Sequence, residues 1–220
     1  MKKHYSEELT HLKEMVLRMG GLVEKMTHRA VQALVERKGE ILAEVREMEH
    51  QVNQLHIDID EIALELIALR QPAATDLRFI TAAMKINTDL ERIGDQAINI
   101  IDKTESLLSV PPVKPLIDIP RMADIAEEML KDALDAFVRG DDDLAYRTIE
   151  RDDAVDQLKD QVFRELLTFM MSDASTIPRS MDLILVSRHL ERIADHATNI
   201  CEKVIFMVKG KDVRHTGHLA

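Results

Sequence analysis

Two short strings in this chain carry carboxylates four residues apart: Leu90-Glu91-Arg92-Ile93-Gly94-Asp95 and Leu190-Glu191-Arg192-Ile193-Ala194-Asp195. On a helix such residues stack on one face, so two carboxylates repel unless a positive charge lies between them. A cation supplies that charge, and oxygen donors suit hard ions such as Mg, Ca, Mn or iron. Glu49 with Asn53, and Asp152 with Asp156, repeat the spacing elsewhere. If the helices bearing them pack side by side, Glu49 and Asn53 complete a metal site begun by Glu91 and Asp95. Asp152 and Asp156 then complete one with Glu191 and Asp195. A lone acidic pair is ordinarily a solvated surface, with an arginine such as Arg92 or Arg192 bridging to it. Recurrence of the motif in two halves of the chain favours a shared purpose.

Positioning those residues falls to helices. At 100° per residue, Leu190, Ile193, Ala197, Ile200 and Val204 gather in one arc, and Glu191, Asp195, Asn199 and Glu202 in another nearly opposite. Leu90, Ile93, Ala97 and Ile100 make the same apolar stripe in the first copy, so both acidic pairs are expected on outward faces. Breakers divide the periodic chain into six segments. The first spans about Ser6 to Lys38, stopped near Gly39. The second spans about Glu40 to Leu69, stopped by Arg70-Gln71-Pro72. The third begins at Thr75 or Asp76, either able to cap it, and ends near Leu108. Ser109-Val110-Pro111-Pro112-Val113-Lys114-Pro115 cannot be helical, because three prolines remove donors and force their predecessors extended. The fourth helix spans about Pro120 to Arg139, and Gly140-Asp141-Asp142 stops it and caps a fifth that runs to about Met171. The sixth starts near Thr176, with Pro178 in its first turn, and lasts to about Val208.

Leu90 to Ile100 aligns on Leu190 to Ile200 at a constant offset of 100, matching Leu, Glu, Arg, Ile, Asp, Ala, Asn and Ile. Upstream, Val52-Asn53-Gln54-Leu55 resembles Val155-Asp156-Gln157-Leu158. An internal repeat follows. The expected fold is all-α: two tandem three-helix bundles built from six long helices. Residues 1-110 form the first repeat, 111-118 a Pro-rich linker, 119-210 the second repeat and 211-220 a tail.

Composition agrees and narrows the function. Aromatics are 3% of the 220 residues and Trp is absent, which favours helices over sheets. Carboxylates outnumber Lys plus Arg by 40 to 29, a formal charge of -11, against the clustered positive charge that nucleic-acid binding draws on. No apolar run reaches the roughly 18 to 20 residues of a membrane span, and the N-terminus lacks a signal-peptide apolar region, so a cytoplasmic location is expected. A single cysteine, Cys201, excludes internal disulfides and thiolate zinc sites, and its place beside the apolar arc reads as a buried thiol. The Glu8–His11 and Glu47–His50 pairs resemble di-iron ligand pairs, but they fall outside matching repeat positions and are read as coincidence. His196, opposite Gln96 in the repeat, is a candidate supporting group. No nucleophile with a positioned base, Gly-rich phosphate loop or dinucleotide fingerprint is visible, so catalysis is not expected.

Taken together, Met19-Gly20-Gly21-Leu22-Val23-Glu24, Arg70-Gln71-Pro72 with Asp76-Leu77-Arg78, Leu90 to Asp95, Leu190 to Ile200 and the closing Val208-Lys209-Gly210-Lys211-Asp212-Val213-Arg214-His215 resemble the PhoU family of phosphate-transport accessory proteins. The resemblance implies two pseudo-symmetric three-helix bundles. It also implies divalent or multinuclear metal, iron or zinc, or Mg or Mn, at the Glu/Asp-x-x-x-Asp motifs. The implied role is negative regulation of phosphate uptake and phosphate-starvation signalling, and so of transcription indirectly. The implied partners are a phosphate ABC transporter, a sensor histidine kinase and a second copy of the chain, with membrane contact only through protein partners. Glu91, Asp95, Glu191 and Asp195 carry over as ligands, and Asp152 and Asp156 fit the companion pair. Asn53 stands where a second carboxylate is expected, which weakens the first site. Ala194 in place of the motif glycine favours the helix without removing a ligand. The competing class is a metal-dependent oxidase or hydrolase working through the same carboxylates, and a third reading is a helical scaffold without metal.

Overall fold

The computed structural model describes the backbone of residues 2–211 and the side chains of residues 5–211. Among the described residues there are seven α-helices, a short 3₁₀ turn and no strand. The helices are α1 Lys2–Glu36, α2 Glu40–Arg70, α3 Ala74–Leu108, α4 Asp118–Arg139, α5 Asp142–Ile149, α6 Asp152–Ser172 and α7 Ile177–Lys209. Six of them are long, as the periodicity implies, and α5 is the short exception. Asp212 to His215 of the closing motif, and the expected tail beyond Lys211, lie outside the described residues.

The helix ends follow from local chemistry. Gly140 closes α4 and Gly210 closes α7, at φ of 63° and 68°, a conformation that costs a glycine nothing. Each donates its N–H back to the last turn, to Ala136 and Phe206. Asp141 caps α5 through a bond from Leu144 N of 2.9 Å. Thr75 and Asp76, by contrast, cap nothing: both lie inside α3, and the residue before the helix is Ala73, which has no side-chain acceptor.

A second difference concerns the expected fifth helix. The chain stops at Ile149 and restarts at Asp152, with Glu150 and Arg151 forming a turn. The Arg151 guanidinium reaches back to α4, donating to Asp132 at 2.8 Å and to Glu128. Its carbonyl accepts from Ala154 at 3.1 Å, so one residue anchors the turn at both ends. Asp152 thereby becomes the first residue of α6, beside amides that lack intrahelical partners.

In the first bundle α1, α2 and α3 pack on one another, and in the second α4, α5 and α6 pack on α7. The bundles join through the faces that the repeat equates, α3 on α7 and α1 on α4. Like surfaces meeting like is the signature of a two-fold contact, here within one chain. Both units share one apolar core: Ile93, Ala97 and Ile100 of α3, and Ile193, Ala197 and Ile200 of α7, have no exposed surface and belong to the same continuous cluster. Phe79 of α3 stacks on Phe137 of α4, with ring centroids 5.7 Å apart.

Two polar bonds cross the α3–α7 face. His196 Nδ1 lies 3.0 Å from Asp89 Oδ1, and His189 Nδ1 lies 2.9 Å from Gln96 Oε1. Asp89 and His189 are equivalent in the repeat, as are Gln96 and His196. Each bond is therefore the other's pseudo-symmetry mate, and the axis passes close to Arg92 and Arg192.

Candidate functional site

The apolar stripes are buried as the periodicity requires: Leu90, Ile93, Ala97, Ile100, Leu190, Ile193, Ala197, Ile200 and Val204 are all fully covered. The carboxylates lie off those stripes, but neighbouring helices leave them on rims between helices. The Glu91 and Glu191 side chains keep only 25% and 23% of their exposure. Asp156 keeps 52%.

In the second copy the four expected residues act on one another. Asp152 opens α6, Asp156 follows one turn later, and Glu191 and Asp195 face them from α7, which packs on α6. Burial pushes the Asp152 carboxyl up to about 6, and the charges of Asp195, Asp156 and Glu191 add to the rise. Asp195 is raised as well, by burial first and then by Glu191 and Asp156, against His196 and Lys159. One cation already stands among them. Lys159 Nζ donates to Asp156 Oδ1 at 2.7 Å and to Glu191 Oε1 at 3.0 Å, linking α6 to α7. Its ammonium is held protonated, first by the bond to Asp156, then, against burial, by Glu191.

The first copy is arranged differently. Arg92 Nε lies 3.5 Å from Glu91 Oε2, and its Nη1 lies 3.4 Å from Asp95 Oδ2. An arginine of the same helix thus bridges the pair. Glu49 is partly covered and Asn53 exposed on α2, which packs along α3. Neither makes a hydrogen bond or ion pair among the described residues.

Do these donors suit a metal? The second set does in chemistry, with carboxylate oxygens from two helices, excess negative charge and an ammonium standing where a cation belongs. Its present arrangement does not, since among the described residues no three His, Cys, Asp or Glu side chains are disposed to hold an ion. Lys159 separates two of the donors. The first set offers three carboxylates and an amide, with Arg92 already across two of them.

Several contributing residues escaped sequence reasoning. Lys159 lies three residues after Asp156, a spacing that places it on the same helical face, and this was the available signal. Asp89, His189 and Gln96 gave none, because their bonds join residues 93 and 107 apart. His196, read as a supporting group, bonds Asp89 of the other repeat and opposes the rise at Asp195. Burial, and then the charges of Arg192, Lys103 and Arg188, push His189 down to about 4, so its ring is neutral at pH 7. Cys201 is fully buried, its thiol pushed up to about 12 by burial, and inert as a nucleophile. Glu8 binds Arg70 through both oxygens, at 2.9 and 2.6 Å, and Glu47 and His50 are exposed.

Two helical units, the second with its middle helix broken into α5 and α6, joined through equivalent faces and each carrying an acidic pair on its last helix, define a pseudo-symmetric, all-helical duplicated protein. Its sequence matches the PhoU domain twice, over residues 16–104 and 119–204, and the chain belongs to the PhoU family. It is 41% identical, over 99% of its length and 85% of the relative's, to a Pseudomonas putida homologue of the phosphate-specific transport system accessory protein PhoU. An Aquifex aeolicus homologue of the same description is also 41% identical, with 95% of each chain covered. The crystal structure of PhoU from Pseudomonas aeruginosa superimposes with a TM-score of 0.91 at 39% identity, covering 94% of this chain and all of that one. The phosphate transport system regulatory protein PhoU from Streptococcus pneumoniae gives 0.87 at 28% identity, with 95% and 99% covered.

Proposed function

We propose that this chain is a non-enzymatic negative regulator of phosphate uptake and phosphate-starvation signalling. It acts in the cytoplasm as a homodimeric, metal-binding adaptor between a phosphate ABC transporter and a sensor histidine kinase. The observation that carries the reading is full-length similarity to accessory proteins of phosphate-specific transport, at 41% identity over 99% of the chain. Two features are consistent with it. No described helix is long and apolar enough to cross a membrane, so contact with a transporter would run through protein surfaces. The two PhoU-domain matches, over residues 16–104 and 119–204, also agree with that similarity.

Metal, of the iron, zinc, Mg or Mn kind, is assigned to Asp152, Asp156, Glu191 and Asp195, and more weakly to Glu49, Asn53, Glu91 and Asp95. When bound it would supply positive charge to the carboxylates, relieving their mutual repulsion. The chain's own groups would hold and orient it: Asp152 and Asp156 from the first turns of α6, Glu191 and Asp195 from α7. Deleting the gene should derepress phosphate-starvation genes in high phosphate, read by reporter expression. Unchanged expression sinks the regulatory reading. Pull-down from cells grown with and without phosphate should recover transporter components and the kinase.

A further inference from the structure

We propose that Lys159 is a tethered counter-ion of the second acidic cluster, which a divalent metal must displace in order to bind. The inference rests on the assignment of metal to that cluster and adds what the metal competes against. The Lys159 ammonium bonds one oxygen of Asp156, on α6, and one of Glu191, on α7. These are two of the four assigned ligands, one from each helix. A metal coordinated by oxygens needs them at roughly 2.0–2.6 Å. An ammonium 2.7 and 3.0 Å from the same atoms occupies that space and repels a second cation. Lysine suits such an exchange, being a compact charge on a flexible four-carbon stem that can swing to water and keep its proton.

The first repeat provides a contrast within the same molecule. Its residue equivalent to Lys159 is His56, by the register that aligns Val52 to Leu55 with Val155 to Leu158. His56 Nδ1 is buried without a partner, and its Nε2 lies 3.9 Å from Asp60, one turn on along α2. No ammonium from α2 reaches Glu91 or Asp95, and the cation there is Arg92, of their own helix. Among the described residues, only the second cluster has a single side chain that both neutralises it and links its two helices, here α6 and α7. Metal entry there exchanges one cross-link between the two helices for another and releases a lysine to solvent.

The experiment uses the full chain with the first site removed by Glu91→Ala and Asp95→Ala, so that only the second cluster is read. Mn²⁺ is titrated by electron paramagnetic resonance into this protein and into the same protein carrying Lys159→Met or Lys159→Gln. Loss of the competitor should tighten Mn²⁺ binding about tenfold in both. Lysines of the parent are also reductively methylated with ¹³C-formaldehyde, where Mg²⁺ should raise the reactivity of Lys159 and shift its methyl resonance. Equal or weaker Mn²⁺ binding in the lysine variants overturns the proposal while leaving the metal assignment standing. Absence of binding in every protein, no different after Glu191→Ala and Asp195→Ala, overturns the metal assignment and the competition with it. If Lys159→Met fails to fold, Lys159→Gln and the methylation of the parent still decide the matter, and a Lys159 signal indifferent to Mg²⁺ counts against displacement.

Discussion

Changing Asp152 to Asn should stabilise the metal-free protein at pH 7 and leave it unchanged at pH 4. The Asp152 carboxyl moves from an ordinary 3.8 to about 6 on folding, because its charged form is partly buried beside Asp195, Asp156 and Glu191. A folded value above the unfolded one means stability that is fully present below pH 3.8 and lost as pH rises through 6. At about 1.4 kcal/mol per pH unit, a fully desolvated group would cost roughly 3 kcal/mol at neutral pH. Asp152 is half-buried, and solvent screening reduces this to about 1.5 kcal/mol. The start of α6 works in the opposite sense, since a carboxylate there gains about 0.5 kcal/mol from the helix dipole, which Asn forfeits. The net expectation is about 1 kcal/mol in favour of Asp152→Asn at pH 7, or roughly 2–4 °C in Tm. Thermal melts of both proteins with chelator at pH 4 and 7 measure it. The difference between the two curves isolates this carboxyl from the others that titrate over the range. Excess Mn²⁺ should reverse the order by stabilising the parent more. The reasoning is refuted if the variant is no more stable at pH 7, or if its gain is as large at pH 4.

Other consequences follow from the same packing. A Cβ added at Gly94 would meet Val52 Cγ1 at 3.5 Å, an ordinary contact, and Ala194 already fills the matching position. Gly94→Ala should therefore stabilise by up to about 1 kcal/mol in urea denaturation, and a loss would mean that α3 lies closer to α2 than described. At Gly20 the same atom would stand 2.6 Å from Leu134 Cδ1, where α1 crosses α4. Gly20→Val should cost about 1–3 kcal/mol by the same assay, whereas Gly21→Ala, inside α1 with nothing within 4 Å, should stabilise by up to about 1 kcal/mol. Metal content after purification should fall further in the Glu191→Ala, Asp195→Ala protein than in the Glu91→Ala, Asp95→Ala protein. Equal losses would contradict the ranking of the two clusters.

The helices were legible because their ends are chemical events: Pro72 and Pro111 forbid continuation, and Gly140 and Gly210 supply the left-handed turn. The break at Glu150-Arg151 carries no such mark. It depends on an arginine reaching Asp132 and Glu128 of another helix, which local periodicity does not register. Thr75 and Asp76 misled for a related reason, since residues able to cap a helix are also tolerated inside its first turns. The repeat could be read as an offset of 100, but offset alone does not say that equivalent faces meet. That fact makes Asp89 and Gln96 partners of His196 and His189.

Divergence between the copies is where sequence and structure together say most about the site. Asn53 and His56 of the first repeat become Asp156 and Lys159 in the second, a carboxylate and an ammonium gained together. The gained carboxylate and the gained ammonium cancel, so the formal charge of the metal-free cluster stays where it was, three carboxylates becoming four against one added lysine. The additions differ in permanence, however. Asp156 sits one turn into α6 on a short side chain, whereas Lys159 can leave on its flexible stem. The second cluster can therefore offer an incoming cation one more negative charge than the first without carrying that charge unpaired beforehand. Resting neutralisation combined with a larger change on binding is what a responsive site needs, and it arises here from two substitutions one helical turn apart.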